Sequence, residues 1–163
     1  MKKISILFTC IASLFIYSCN QGTKKNQEGS AENTVLITNC YIAVFEKDTA
    51  RLKTQTDTSG KITGDLTMKY GEVQANSLEK VINVGTISGE FRGDTLFVDY
   101  THTSGSINKQ GFKNPLAFLK AGENLLLGVG QIETHLGRSY FVKNKPIDFE
   151  IGRFKFVPID CEK

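Results

Sequence analysis

No tryptophan occurs in these 163 residues, and there are only three prolines and two histidines. So few prolines exclude a Pro-rich chain, and fifteen glycines are far too few for a collagen-like one. Charge of one sign is also lacking. Twenty Lys and Arg against seventeen Asp and Glu leave a net charge of +3. A nucleic-acid binder shows clustered basic excess, so no nucleic-acid partner is expected. The spacings CxxC, HxxxH and HExxH are missing, as are a G-x-S-x-G elbow and a phosphate loop. Neither a metal nor a cofactor is expected, no catalytic residue is assigned, and the chain reads as a non-enzyme. A hydrophobic share of 40% beside 23% charged residues excludes wholesale disorder. The length suits one domain of roughly 150 residues.

Long hydrophobic runs are scarce too, with one exception at the start. Met1-Lys2-Lys3 is a short positive segment, and Ile4 to Tyr17 follows as an apolar run broken only by Ser5, Thr9, Cys10 and Ser13. A membrane-spanning helix needs about 20 apolar residues, so this run fits a secretory signal instead. It ends at Ile16-Tyr17-Ser18-Cys19. That tetrapeptide resembles a bacterial lipobox, although Tyr17 departs from the small or aliphatic residue usual at its position. The resemblance implies a signal peptide over 1–18, cleavage before Cys19, and lipid on the Cys19 thiol and the new amino terminus. An ordinary cleaved signal with a chance cysteine is the alternative. Residues Asn20 to Asn33 hold no apolar side chain larger than Ala. Such a stretch cannot bury a core and reads as a flexible tether, assigned with Cys19 to residues 19–39. In lipoproteins of Gram-negative envelopes, Asp after the lipidated Cys retains the protein in the inner membrane. Asn20 therefore implies the outer membrane, and the absence of an acidic residue before Glu28 favours a domain facing the periplasm.

With Cys10 and Cys19 so assigned, Cys40 and Cys161 remain, an even pair in an oxidising compartment. A bridge between them closes a loop of about 122 residues, which the chain-entropy argument values near 5 kcal/mol. Two free thiols or a metal pair are the alternatives, and no CxxC, HxxxH or HExxH pattern supplies the other ligands a metal needs. A bridge requires the first and last strands to be neighbours, as in a sheet that closes on itself.

From Cys40 onward the hydrophobic period is two. Tyr41–Phe45 is an apolar strand, and Glu46-Lys47-Asp48 a turn. Leu52, Thr54 and Thr56 alternate with polar neighbours, Asp57-Thr58-Ser59-Gly60 is a turn, and Ile62 to Tyr70 alternates again. Gly71 to Val81 breaks the pattern, as a long loop or as a short helix capped by Asn76. Val84–Phe91 carries Gly85 and Gly89, which suggest bulges or close packing. Arg92-Gly93-Asp94 turns the chain into Leu96–His102. Phe112–Leu119 contains Pro115, a mark of an edge or bulge. Leu125–Ile132, Ser139–Lys143, Ile147–Ile151 and Phe154–Ile159 complete the strands, with turns at His135–Arg138 and Gly152-Arg153. Eight to ten short strands at roughly 8–12-residue spacing predict a single all-β domain over 40–161. An antiparallel meander closed into a small barrel is expected, with a β-sandwich as the alternative.

Asn83 to Thr101 contains a G-x-x-x-G strand, a Gly93-Asp94-Thr95-Leu96 turn and an Asp99-Tyr100-Thr101 strand. Together with the Cys40-Tyr41 opening and the Asp160-Cys161 close, this is similar to a pattern in small envelope lipoproteins of uncharacterised role. The resemblance spans most of 40–161 and implies a fold but no activity.

Candidate chemistry is thin. His102 shares a pleat face with Leu96, Val98 and Tyr100. If that face is the interior, Tyr100 and His102 become candidate ligand contacts near the barrel mouth. The bland alternative is a partly exposed histidine at a strand end. Asp99, on the opposite face, is expected to pair with Arg92 or Arg51 or to cap a turn. Gly128-Val129-Gly130 is a G-x-G within a strand, with no helix to make it a phosphate site. Two readings remain. One is a structural or interaction module anchored to the outer membrane, whose partner is an envelope protein. The other is a small barrel holding an apolar or amphiphilic ligand, drawing on Gly64, Gly85, Gly89, Leu66, Met68 and Tyr100 as interior residues.

Overall fold

The structure is a computed structural model that describes residues 36–71, 80–105, 107 and 109–161. It contains ten strands: β1 (Ile37–Phe45), β2 (Asp48–Thr56), β3 (Lys61–Lys69), β4 (Ile82–Arg92), β5 (Thr95–Ser104), β6 (Gln110–Ala121), β7 (Asn124–Leu127), β8 (Ile132–His135), β9 (Arg138–Phe141) and β10 (Lys155–Ile159). Eight of them close a barrel in the order β1-β10-β7-β6-β5-β4-β3-β2, and β8 with β9 forms a separate two-stranded sheet. Every pairing is antiparallel. The expected barrel forms, and the sandwich does not.

Closure follows from the two ends of the domain. β1 pairs with β10 through Cys40↔Ile159, Tyr41↔Pro158 and Ile42↔Val157. Just beyond that ladder, Cys40 and Cys161 are joined by a disulfide with their Cα atoms 5.2 Å apart. The anticipated bridge thus sits where the first strand meets the last. The strand begins before the bridge, however. β1 starts at Ile37, inside the segment assigned to the tether, because Ile37, Thr38 and Asn39 pair with Thr56, Gln55 and Thr54.

Alternation places the core. β2 buries Ala50, Leu52 and Thr54, β3 buries Ile62, Leu66 and Met68, and β5 buries Leu96, Val98, Tyr100 and His102. Phe118 and Phe156 meet edge to face at 5.6 Å across the interior, and neither is exposed to solvent. Large side chains therefore fill the barrel. Glycine supplies the space: a Cβ at Gly89 would collide with the Phe97 carbonyl, and one at Gly64 with the Lys53 carbonyl. Gly85 and Gly89 are close-packing positions rather than bulges, since the β4–β5 ladder is unbroken from Asn83↔Ser104 to Arg92↔Thr95.

Several expected elements differ. Asp48 is not a turn residue but the first residue of β2, paired with Phe45 across a Glu46-Lys47 turn in which Glu46 takes a positive φ of 55°. The Leu125–Ile132 segment is not one strand. It leaves the barrel after Leu127, because Gly128 lies against Ile147 and Phe149 and Gly130 against Phe141. β9 ends at Phe141, before Lys143. Ile147–Ile151 is not a strand, and Gly152-Arg153 is not a hairpin. Asp148 Oδ1 accepts the backbone N–H groups of Glu150 and Ile151 at 2.8 and 3.2 Å, which curls the chain locally. Only Val129 and Asp148 bridge there. Pro115 sits on β6 opposite Asp99, beyond the stretch of β6 that pairs with β7, so it removes no ladder donor on that side. The short helix considered at Asn76–Glu79 and the anchor residue Cys19 lie outside the described residues.

Candidate functional site

Three places carry polar or accessible chemistry: a ring stack inside the barrel, a recess at one mouth, and a groove on the outer wall.

The stack contains the two residues singled out for ligand contact. Tyr100 and His102 alternate inward on β5, and their rings lie 4.2 Å apart and nearly parallel. Phe112 of β6 stacks on the other side of His102 at 5.5 Å. The Tyr100 hydroxyl donates to the Leu66 carbonyl at 2.9 Å and is committed to the wall. Burial, with a smaller contribution from Tyr70, pushes its ionisation upward. His102 is 6% exposed, so it is not a partly exposed histidine, although with Phe112 and Thr101 it lines an opening of about 440 Å³. Gly85 faces it across the ladder, and a Cβ there would lie 2.6 Å from the His102 Cβ. The imidazole fits because its neighbour has no side chain. Burial holds it below the usual histidine value, and a backbone contact at Tyr100 opposes that shift. Among the described residues its Nδ1 has no hydrogen-bond partner.

The recess lies at the end of the barrel where β1 turns into β2, and measures about 410 Å³. Asp48, Tyr70, Asn83 and Arg153 line it. Asp48 is buried, accepts the Gly71 N–H at 2.9 Å, and lies 3.9 Å from Arg153 Nη1. Arg153 also covers the Phe45 ring at 5.9 Å. Burial raises the Tyr70 ionisation, Asp48 raises it further, and Arg153 offsets part of that. Asn83 Oδ1 is buried without a partner among the described residues. The arrangement can accept a hydrogen bond from a small polar group, but it holds no base–nucleophile pair.

The largest opening is elsewhere. The β8–β9 hairpin folds over the outer wall of β3–β6 and leaves an open groove of about 1350 Å³. Phe141 of β9 packs edge to face on the outward Phe97 of β5 at 6.4 Å. Arg138 Nη2 reaches Asp99 at 3.6 Å, and Lys113 Nζ reaches the same carboxylate at 3.0 Å. Asp99 thus pairs with Lys113 and Arg138, not with Arg92 or Arg51 as anticipated. Arg92 instead meets Glu90 at 3.2 Å and lies over Phe97. Ala117 faces outward between Leu116 and Phe118, yet it is fully buried, which marks how closely this side of β6 is covered. Tyr140, under Arg138, is 42% exposed along the groove.

The hairpin turn is built from Leu136 and Gly137, with φ of 50° and 75°. Two consecutive positive φ values match the twist of a tight hairpin, and Asn-Gly is the sequence that adopts them most easily. Leu136 takes one of them while 89% exposed. The sequence had signalled a turn there, but not the groove. Its signals are Phe97 on the outward face of β5 and the Tyr140-Phe141 pair on β9. Among the described residues no cluster of His, Cys, Asp or Glu could hold a metal ion. No family model matches the chain, and no curated protein or solved structure does.

Proposed function

We propose that this chain is an outer-membrane-anchored, non-catalytic lipoprotein. Cys19 carries the lipid, the domain faces the periplasm, and the barrel is a rigid scaffold for contact with another envelope protein. One observation carries the interaction reading: the interior is occupied by its own side chains, while the largest recess lies outside the wall. Leu52, Leu66, Ile87, Leu96, Phe118 and Phe156 are the largest fully buried side chains. An eight-stranded barrel is just wide enough to be filled by side chains or to hold one small ligand, and here the side chains take the space. The hairpin supports the same reading. It presents Tyr140 beside the groove and an apolar Leu136 at its tip, and recognition concentrates on loops carried by rigid scaffolds.

The alternative is a barrel that holds a small apolar or amphiphilic ligand. It draws on the mouth recess and on the unpaired Asn83 Oδ1 and His102 Nδ1. Such a ligand would enter only part-way, because Tyr100 and Phe112 close on His102 from both sides.

Site-specific photo-crosslinking in the native envelope tests the proposal. A photoreactive residue at Tyr140 should yield one discrete protein adduct, and the same residue at Lys69 should yield none. No adduct at Tyr140, or the same adduct from both positions, contradicts it.

A further inference from the structure

We propose that the outer face of β1 and β10 rests on an anionic lipid bilayer and turns the groove away from the membrane. Strand alternation carries the argument. On β2 the outward residues are Thr49, Arg51, Lys53 and Gln55, and on β3 they run from Lys61 through Asp65 to Lys69. Those walls are polar outside and apolar inside, as expected for a sheet wetted on one face. β1 and β10 break the rule. Ile42 and Val44 face outward on β1, and Val157 and Ile159 on β10, although the opposite face of both strands already packs the core. Ile42 pairs directly with Val157, so the four side chains form one continuous stripe. Val44 is 61% exposed, Val157 39% and Ile159 36%. Contiguous apolar surface of this kind marks a contact site.

Its surroundings select lipid as the occupant. Arg51 pairs with Ile42 and Lys53 with Cys40 along one border. Lys155 shares the outward face of β10 and ends its half of the stripe, two residues before Val157, with Leu126 of β7 beside it. Apolar side chains flanked by Lys and Arg suit the boundary between acyl chains and anionic headgroups. The chain outside the described residues points the same way. This proposal rests on the anchor at Cys19. About 17 positions separate Cys19 from Leu36, and a chain of that length reaches at most roughly 55–60 Å. It joins the barrel at β1, the strand that carries half of the stripe. The closed strand order places β4 and β5, whose outer walls line the groove, across the barrel from β1 and β10. One face on lipid therefore leaves the other open to the periplasm.

The lack of tryptophan supplies the test. Lipidated full-length chains carrying Val44→Trp or Thr86→Trp each contain a single reporter, on the stripe or on the outer wall of β4. They would be reconstituted into phosphatidylethanolamine–phosphatidylglycerol vesicles bearing brominated acyl chains, and flotation scored before fluorescence. Val44→Trp should be quenched at least about threefold more than Thr86→Trp, and Lys155→Glu in the same chain should reduce that quenching. A chain that floats with equal or no quenching at the two positions overturns the docking and leaves the anchor standing. A blue-shifted Val44→Trp emission without lipid quenching assigns the face to a second copy and also overturns it. A chain that does not float overturns the anchor and the docking together. Val157→Trp repeats the reading should Val44→Trp fail to fold.

Discussion

Tyr100 and His102 illustrate how a residue pattern translates into barrel chemistry. Their alternation with Leu96 and Val98 shows that they share a face, but it does not show that the face is full. The Tyr100 hydroxyl answers the Leu66 carbonyl 34 positions away in sequence, a partner no local pattern reveals. Tyr100→Phe should therefore cost about 1–2 kcal/mol, since it leaves a buried acceptor short of a donor. A melt should drop by roughly 4–8 °C. His102 predicts a pH dependence whose direction follows from its lowered ionisation. Near neutral pH both the folded and the unfolded chain hold it uncharged. As pH falls through about 6.5 the unfolded chain takes up a proton that the buried ring resists, so stability declines with acidification. Melting curves between pH 7 and pH 5 should show this loss. His102→Gln should flatten that part of the profile, and an unchanged slope would contradict the assignment.

At the scale of elements, the strands with clean alternation were legible and the irregular connections were not. β3 and β5 follow their residue pattern almost to the end, because each turns one face to the core and keeps most of its polar residues on the outer face. Ile147–Ile151 looked like a strand by composition, yet Asp148 caps the two following N–H groups and curls it. Nothing in a period-two count registers that competition. The groove was hidden for a related reason. It depends on a hairpin folding over β5, a contact between Phe97 and Phe141, which three other strands separate in sequence. Its turn was legible, its destination was not. Leu136 at the tip gives a test at this scale. An exposed leucine with positive φ is conformationally costly, and Asn is at ease there. Leu136→Asn should leave the stability unchanged or raise it by up to about 1 kcal/mol, while weakening the Tyr140 crosslink. Retention of the full crosslink would remove the tip from the contact.

At the scale of the molecule, the chain is a meander whose ends are tied to each other. The Cys40–Cys161 bridge spans a sequence separation of 121 and pins the β1–β10 seam, where the ladder is only three pairs long. Cys40→Ser with Cys161→Ser should cost about 3–5 kcal/mol under oxidising conditions and lower the melt by more than about 10 °C. An equal melt would place the closure in the hydrophobic core alone. The cysteine count made this bridge visible in the sequence, because two half-cystines bracketing a β-pattern leave few other outcomes. Whether the interior stays open could not be read so early. It depends on how Phe118 and Phe156 converge from distant strands.

Native mass spectrometry of the full-length chain, gently extracted from its own envelope, tests the central proposal most directly. The predicted result is a covalent mass that starts at Cys19, carries acyl chains, lacks two hydrogens at Cys40 and Cys161, and holds no small-molecule adduct. A retained apolar adduct would contradict the filled scaffold and return the barrel to ligand binding. A mass without lipid would contradict the anchor.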